Sequence, residues 1–394
     1  MSRLIFLVDM NAFFISCEMA RNPELKGKPA AVAGDPKQRS GIILAANYEA
    51  RNYKIKTTMV LHEARKLCPG LVTIPPDHRF YEEKSRAVME ILSRYTPVIQ
   101  QNSIDEAWMD LTGCEKLFGS PVDIARNIMD TISKELDLWC SIGISENKFL
   151  AKMASEFKKP QGITELYIKD VKEKLWPLPV REMYGIGKQT EKRLMDYAVY
   201  KIGDIANCKV EFLKSSFGKY GEELHRLANG IDESPVVANP MYDSKSISRS
   251  TTLPFDTNDI EYIKNILMGL SEEVGYEARR YGYKGKTIAI SIKYDDFSAI
   301  TRQNTVAPTY LTKDIYSAAL KLYEGNKSRN KLIRLLGVGL SNFEDEDSEQ
   351  LSIFDLPGSG SETHKEETIE KTIDKIRERF GNQKIIRGSM LKKQ

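Results

Sequence analysis

Ser103-Ile104-Asp105-Glu106-Ala107-Trp108-Met109-Asp110-Leu111 sets two adjacent carboxylates, Asp105 and Glu106, at the point where an apolar strand begins. Neighbouring carboxylates repel and seek water, so this placement costs free energy unless something compensates it. Hard divalent ions such as Mg²⁺ take oxygen ligands and share them with substrate phosphates, which supplies the compensation. A third carboxylate, Asp9, ends the run Leu4-Ile5-Phe6-Leu7-Val8, which reads as a strand buried on both faces. Taken singly, Asp105 and Glu106 cap a turn and Asp9 starts a loop. Taken together, the three read as metal ligands.

Their meeting depends on the elements around them. A helix is expected from about Glu82 to Tyr95, with Val88, Ile91, Leu92 and Tyr95 on one stripe. Pro97–Gln101 and Ala107–Met109 follow as short strands joined through Asn102–Glu106. A helix over Val122–Leu136, with Ile124, Ile128 and Ile132 in line, leads to the alternating strand Cys140, Ile142, Ile144. The order βαββαβ is the ferredoxin-like split βαβ pattern, whose first strand lies beside the hairpin strands. At a hairpin corner, Asp105 and Glu106 are freed from strict alternation and both can turn toward the end of the Asp9 strand.

A length of 394 residues implies more than one domain, and the mixture of expected strands and helices an α+β chain. The net charge of +3 gives no global electrostatic case for nucleic acid, so any basic surface is local. Cys17, Cys68, Cys114, Cys140 and Cys208 are odd in number and lack a CxxC pair, the usage of reduced thiols in a cytoplasmic protein. The histidines, His62, His78, His225 and His364, have no zinc spacing. No apolar run approaches the roughly 20 residues of a membrane span, and no secretory signal opens the chain.

The polar excursion after Asp9 carries Asn47-Tyr48-Glu49-Ala50-Arg51, and Lys158-Lys159-Pro160 closes a later helix for which Ser145 is the expected cap. Arg presents a planar fork to phosphate oxygens and Lys a mobile point charge, so Tyr48, Arg51 and Lys159 are candidates to hold a triphosphate. Singly, each also reads as an ordinary solvated side chain.

Four segments, LVDMNAFF (Leu7–Phe14), AANYEAR (Ala45–Arg51), SIDEAW (Ser103–Trp108) and KKPQG (Lys158–Gly162), resemble in order and spacing the motifs of the Y-family translesion DNA polymerases, the DinB and UmuC group. The resemblance implies a right-hand polymerase: a ferredoxin-like palm over 1–10 and 78–165, small fingers over 11–77, a helical thumb over 166–232, a linker over 233–244 and an α+β little finger over 245–343. It implies that Asp9, Asp105 and Glu106, with the Met10 carbonyl, bind two Mg²⁺ ions. Tyr48, Arg51 and Lys159 would grip the phosphates of the incoming dNTP, beside Phe13. Phe14 resembles the steric gate that excludes a ribose 2′-hydroxyl; a plain core Phe is the alternative. Ser40, Gly41, Ile42 and Leu44 would lie near the templating base, although small residues there also serve a turn. Ala12 stands where many relatives carry an aromatic residue, and DMNAFFISCE reads closer to UmuC-type members, so the subfamily stays open.

Gly185-Ile186-Gly187-Lys188, before a helix ending near Tyr197, resembles a helix-hairpin-helix whose backbone N–H groups meet a DNA phosphate. Taken alone, the Gly185–Gly187 stretch reads first as a tight interhelical turn, and Phe217–Gly221 is a looser second instance. Asp232–Ser244, with Pro235 and Pro240, reads as a linker. Beyond it, Lys286–Lys293 and Arg334–Leu340 read as strands, and Ile260–Arg280 and Lys313–Tyr323 as helices. Lys245, Arg249, Arg279, Arg280, Lys284, Lys286, Lys293, Arg302, Lys327, Arg329, Lys331 and Arg334 are the cations expected to track primer-template DNA.

In the tail, over 344–394, Gln350-Leu351-Ser352-Ile353-Phe354 is an apolar cluster in polar surroundings that resembles the peptide by which bacterial proteins bind the sliding clamp. Folding back onto its own domain is the alternative. Ile369, Ile373, Ile376 and Phe380 form a stripe on a helix ended by Gly381, suited to docking on the body or to receiving another protein. The basic Arg387–Lys393 is a further DNA candidate or simply a solvated terminus. The expectation is a metal-dependent DNA polymerase that acts as a monomer, performs low-fidelity translesion synthesis and has no contact with a membrane. A nucleotidyl cyclase with a similar palm, or a non-catalytic clamp-tethered scaffold, is the competing reading.

Overall fold

The structure, a computed structural model, describes residues 3–36, 39, 41–238, 244–328, 330–344, 360–381, 384–385 and 388, with side chains of the last helix described from 365 onward. The chain divides into two compact units, Met1–Pro36 with Gly41–Pro240 and Lys37–Ser40 with Met241–Gln394.

The strands of the first unit are β1 (Ile5–Met10), β2 (Ala30–Ala33), β3 (Ile43–Ala46), β4 (Val72–Ile74), β5 (Ile99–Gln101), β6 (Glu106–Asp110), β7 (Cys140–Ser145) and β8 (Ile163–Glu165). They form one sheet in the order β5-β6-β1-β7-β8 and a smaller one in the order β3-β2-β4. β1 is antiparallel to both β6 and β7 and buried along its whole length. Alternation divides its side chains between two cores. Phe6, Val8 and Met10 face Val88, Ile91, Ile124 and Ile128 of the helices His78–Ser93 and Pro121–Leu136. Ile5 and Leu7 face Trp108, Ala151 and Val236. Asp9 therefore continues the Ile5–Leu7 face, toward the helix Lys148–Phe157.

Side-chain caps explain where the helices depart from the expected bounds. The first begins at His78 rather than Glu82 because the Asp77 carboxylate accepts from the Phe80 N–H at 3.2 Å. Lys148–Phe157 is capped by Asn147, whose Oδ1 accepts from the Leu150 N–H at 2.8 Å. Ser145 is not the cap. It still belongs to β7, and its hydroxyl donates to the Leu166 carbonyl.

The excursion after β1 builds its own small core from Ala31, Ile43, Ala46, Ala50, Ile55 and Leu61 between the β3-β2-β4 sheet and the helices Tyr48–Asn52 and Leu61–Leu67. Four helices, Lys188–Asp196, Ile202–Asn207, Val210–Phe217 and Lys219–Ala228, pack around Leu194, Ile202, Ile205, Leu213 and Leu224. The stretch read as a linker is docked over its first residues: Val236 is 7% exposed, and the Val237 N–H donates to Gln100 Oε1 at 3.1 Å. One apolar side chain with a pocket to fill is enough to pin it.

The second unit is an antiparallel sheet in the order β11-β10-β12-β9, made from β9 (Ser246–Thr257), β10 (Gly285–Tyr294), β11 (Ala299–Thr309) and β12 (Ile333–Phe343). The helices Ile260–Arg280 and Thr312–Asn326 cover the face bearing Ile288, Ile290, Ile292, Leu336, Val338 and Leu340. The last helix, Gly360–Phe380, docks in this unit with Ile373 and Ile376 of the expected stripe half-buried, but the ends of that stripe stay exposed and acids take the buried positions. Ile369 is 49% and Phe380 57% exposed, whereas Glu370 and Asp374 are 7% and 8% exposed. Asp374 holds Arg279 bidentately, at 2.6 and 3.0 Å, and Glu370 pairs with the same guanidinium. The interface is ionic because helix Ile260–Arg280 offers Arg279, itself buried, as its anchor.

All five cysteines are free thiols. Among the described residues, no helix is long and apolar enough to cross a membrane.

Candidate active site

The acidic residues come together through strand register. Asp9 lies directly opposite Glu106 across the β1–β6 ladder. Asp105 sits in the turn just before β6, where its carbonyl accepts from the Met10 N–H at 2.9 Å and its carboxylate from the Ser103 hydroxyl at 2.5 Å. This corner position lets neighbouring carboxylates serve one region, which a regular strand forbids. Burial pushes the Asp105 carboxyl above its ordinary value, the Ser103 bond opposes this, and the charges of Asp9 and Glu106 add to the rise.

Two lysines neutralise the cluster. Lys152 Nζ lies 3.1 Å from Asp9 Oδ2, 2.5 Å from Glu106 Oε2 and 3.3 Å from Glu156 Oε1. Lys159 Nζ lies 2.9 Å from Asp9 Oδ1 and 2.8 Å from Glu156 Oε1. Burial alone would lower both ammonium values; Asp9 leads the charges that outweigh it and hold both lysines protonated. Among the described residues, no group of three or more Asp, Glu, His or Cys side chains stands at metal-ligating spacing. The donor set itself, carboxylate oxygens beside a backbone carbonyl, suits a hard divalent ion.

A cleft of about 410 Å³ opens beside them, lined by Asp9, Met10, Asn11, Ala12, Phe13, Phe14, Leu44, Tyr48, Arg51, Thr57, Asp105 and Lys159 among others. The Arg51 guanidinium lies over the Tyr48 ring, 4.8 Å from its centroid, and its Nε donates to the Ala46 carbonyl. Among the described residues, the Tyr48 hydroxyl is the buried side-chain polar atom left without a hydrogen-bond partner. Such an orphan at a cleft wall calls for a ligand acceptor or donor. Phe14 stacks on Tyr81 with centroids 4.4 Å apart, and the Tyr81 hydroxyl donates to the fully buried Glu18 at 2.7 Å. Phe13 is buried beneath it.

Sequence reasoning gave no role to Lys152, Glu156 or Asn11. Asn11 is 2% exposed; its Nδ2 donates to Ser141 Oγ and its Oδ1 accepts from the Gln161 N–H at 2.8 Å. It thereby ties the Lys158–Gly162 loop, and with it Lys159, to the end of β1. The i, i+4 pair Lys152 and Glu156 on one helical side was the available signal.

Other expected site residues are more scattered. Of the proposed templating-base residues, Leu44 lines the cleft, Ile42 bridges to Val60, and Gly41 is buried where an added Cβ would lie 2.6 Å from Pro36 Cα. Ser40 lies outside the described residues. Gly185, at φ +93°, Gly187 and Lys188 form an exposed turn onto helix Lys188–Asp196, and the Tyr220 hydroxyl donates to the Gly185 carbonyl at 2.8 Å. Three arginines expected to reach DNA have partners within the protein. Arg249 pairs with Glu277 on the helix-covered face, Arg302 Nε donates to Asn326, and Arg334 lies over the Phe297 ring and 3.7 Å from Asp256. Each satisfies a nearby acceptor, carboxylate or ring that sequence spacing does not reveal. Gln350, Leu351, Ser352, Ile353 and Phe354 lie outside the described residues.

Comparison with known proteins gives this architecture its class. The impB/mucB/samB family model matches residues 8–156, the C-terminal domain of that family 244–353, and its helix-hairpin-helix motif 169–197. A solved Y-family DNA polymerase chimera of Dbh and Dpo4 aligns with a TM-score of 0.77 and 26% identity, over 86% of this chain and 99% of its own. The chain belongs to the impB/mucB/samB family, the Y-family DNA polymerases. It is 55% identical to DNA polymerase IV of Clostridium kluyveri, over 100% of this chain and 99% of that protein, and 50% identical to DNA polymerase IV of Alkaliphilus oremlandii, over 99% and 100%.

Proposed function

We propose that the cleft between β1, β6 and the Tyr48–Asn52 helix joins a dNTP to a primer 3′-hydroxyl on a DNA template, with Asp9, Asp105, Glu106 and the Met10 carbonyl holding two Mg²⁺ ions. The chain is a DNA-directed DNA polymerase of the translesion type, as its family membership establishes, and divalent-metal dependence comes with that membership. The cyclase and scaffold readings leave the full-length similarity to DNA polymerases without an account. The observation that carries the site assignment is the shared cleft: Asp9 from β1, Asp105 from the turn before β6, Tyr48 and Arg51 from the helix Tyr48–Asn52 and Lys159 from a further segment all line one space.

When bound, the ions supply Lewis acidity and neutralise charge at the transferring phosphorus. The protein's part is positioning and electrostatics. Arg51, with its fork oriented by the Ala46 carbonyl, and the unpartnered Tyr48 hydroxyl take phosphate oxygens. Lys159 exchanges Asp9 for the triphosphate once the carboxylates are otherwise neutralised. Phe14, braced by Tyr81, meets C2′ of the sugar and Phe13 supports it. Gly41, Ile42 and Leu44, with Ser40, flank the template base.

DNA is held without reading its sequence. The Gly185–Lys188 turn offers backbone N–H groups to a phosphate. In the second unit, the sheet face away from the helices carries Ser246, Ser248, Ser250, Thr301, Gln303 and Thr305, all exposed, and their small size allows a duplex backbone to approach. Gln350–Phe354 binds the bacterial sliding clamp, and the enzyme works as a cytoplasmic monomer.

Primer extension tests the reading. Elongation with Mg²⁺ and dNTPs, through an abasic template site as well as on undamaged template, and stimulation by the clamp that vanishes on deletion of 350–354, are expected. Absence of elongation with either metal-loaded or clamp-loaded protein refutes it.

A further inference from the structure

Lys152 is a buried cation whose whole reach is spent on the acidic cluster. Its side chain is 11% exposed and stands between Asp9 Oδ2 and Glu106 Oε2, the facing acids of the β1–β6 ladder. An ammonium in that position does two jobs that a divalent ion would do. It neutralises carboxylates whose mutual repulsion in a part-buried site is costly, and it fills their lone pairs with hydrogen bonds. It is also incompatible with such an ion in the same place, because like charges a few ångströms apart repel strongly when little water lies between them. The missing ligand spacing among the described residues agrees with a lysine inserted between the acids.

Glu156 supplies the second position. It lies one helical turn from Lys152, its side chain is 49% exposed, and it already accepts from Lys152 at 3.3 Å and from Lys159 at 2.8 Å. Four rotatable bonds let an ammonium change partners within one site while its stem stays packed. We infer that Lys152 is a positioning residue that stands in for a divalent ion at Asp9 and Glu106 and withdraws to Glu156 when the ion binds, so that it sets metal affinity. The inference rests on the proposed role of Asp9 and Glu106 as metal ligands.

The experiment measures metal rather than turnover. Mn²⁺ binding to the full-length, DNA-free protein is followed by calorimetry and by the electron spin resonance of free Mn²⁺, with thermal melts in chelator and in Mn²⁺. Lys152→Met is expected to bind Mn²⁺ about tenfold tighter than wild type. It should melt lower than wild type in chelator and gain more from added Mn²⁺, since a ligand stabilises the native state in proportion to its affinity. Glu156→Gln, at a half-exposed position that tolerates change, is expected to weaken Mn²⁺ binding several-fold by removing the lysine's second partner. Unchanged or weaker Mn²⁺ binding by Lys152→Met overturns the inference, as does unchanged binding by Glu156→Gln; the latter decides the matter if the former fails to fold. A Lys152-independent Mn²⁺ site that disappears in Asp9→Asn sinks this inference alone. No Asp9-dependent Mn²⁺ binding in any variant sinks the metal reading beneath it.

Discussion

The Asp105 carboxyl is pushed above its ordinary value, first by burial and then by the charges of Asp9 and Glu106, against the opposing bond from Ser103. The sign of the consequence follows from linkage. A carboxyl whose folded value lies above its unfolded one binds its proton more tightly in the native state, so native stability falls as pH rises from the ordinary aspartate value of 3.8 through the raised folded value. Asp105→Asn removes that penalty. The variant is expected to melt a few degrees above wild type near neutral pH, with the gap closing toward acid where wild-type Asp105 is protonated; a pH series of melts checks it. Phe14 makes the second test at this scale. Its ring is fixed by stacking on Tyr81, so Phe14→Ala should raise ribonucleotide insertion relative to deoxynucleotide insertion at least about tenfold, read from single-nucleotide extension.

At the scale of elements, Asn11 links β1 to the loop carrying Lys159 through a buried acceptor for the Gln161 N–H. Asn11→Ala leaves that donor unsatisfied and is expected to cost about 1–3 kcal/mol of stability and to raise KM for dNTP more than it lowers kcat. The last helix offers a further check. Arg279→Met removes the buried cation between Glu370 and Asp374, a loss of about 3–5 kcal/mol that should free Gly360–Phe380 to limited proteolysis while the rest of the chain stays protected. What the sequence showed and hid at this scale has physical causes. A strand buried on both faces, such as β1, an alternating one, such as β10, and helices with one apolar stripe announce themselves by period. β9 and β11 do not, because Ser248, Ser250, Thr301 and Gln303 leave one face of the sheet polar and exposed, and Pro254 and Pro308 read as breakers. The Gly360–Phe380 helix was legible as a helix but misread in its buried face, since an ion pair to Arg279 is a contact between residues far apart in the chain. The proposed metal-binding acids stood out in the sequence because carboxylates at a strand end are costly. Lys152 was not, since a lone lysine on a helix is ordinarily solvated.

For the whole molecule, a net charge of +3 means that DNA is not drawn in by the overall field. Binding must come from local phosphate contacts, and several arginines are already engaged within the protein. Affinity for primer-template is still expected to fall steeply with salt, by roughly tenfold or more between 50 and 200 mM, since each phosphate contact releases counterions; a fluorescence anisotropy series measures it. The account turns on three acids, from β1, β6 and the turn that precedes β6, serving one transfer step. Single-turnover insertion of one matched dNTP, with DNA affinity measured alongside, tests this most directly in Asp9→Asn, Asp105→Asn and Glu106→Gln. Insertion should drop on the order of 10³-fold or more in each, with primer-template affinity within about threefold of wild type. Insertion near the wild-type rate in any of the three, with DNA bound, contradicts the account.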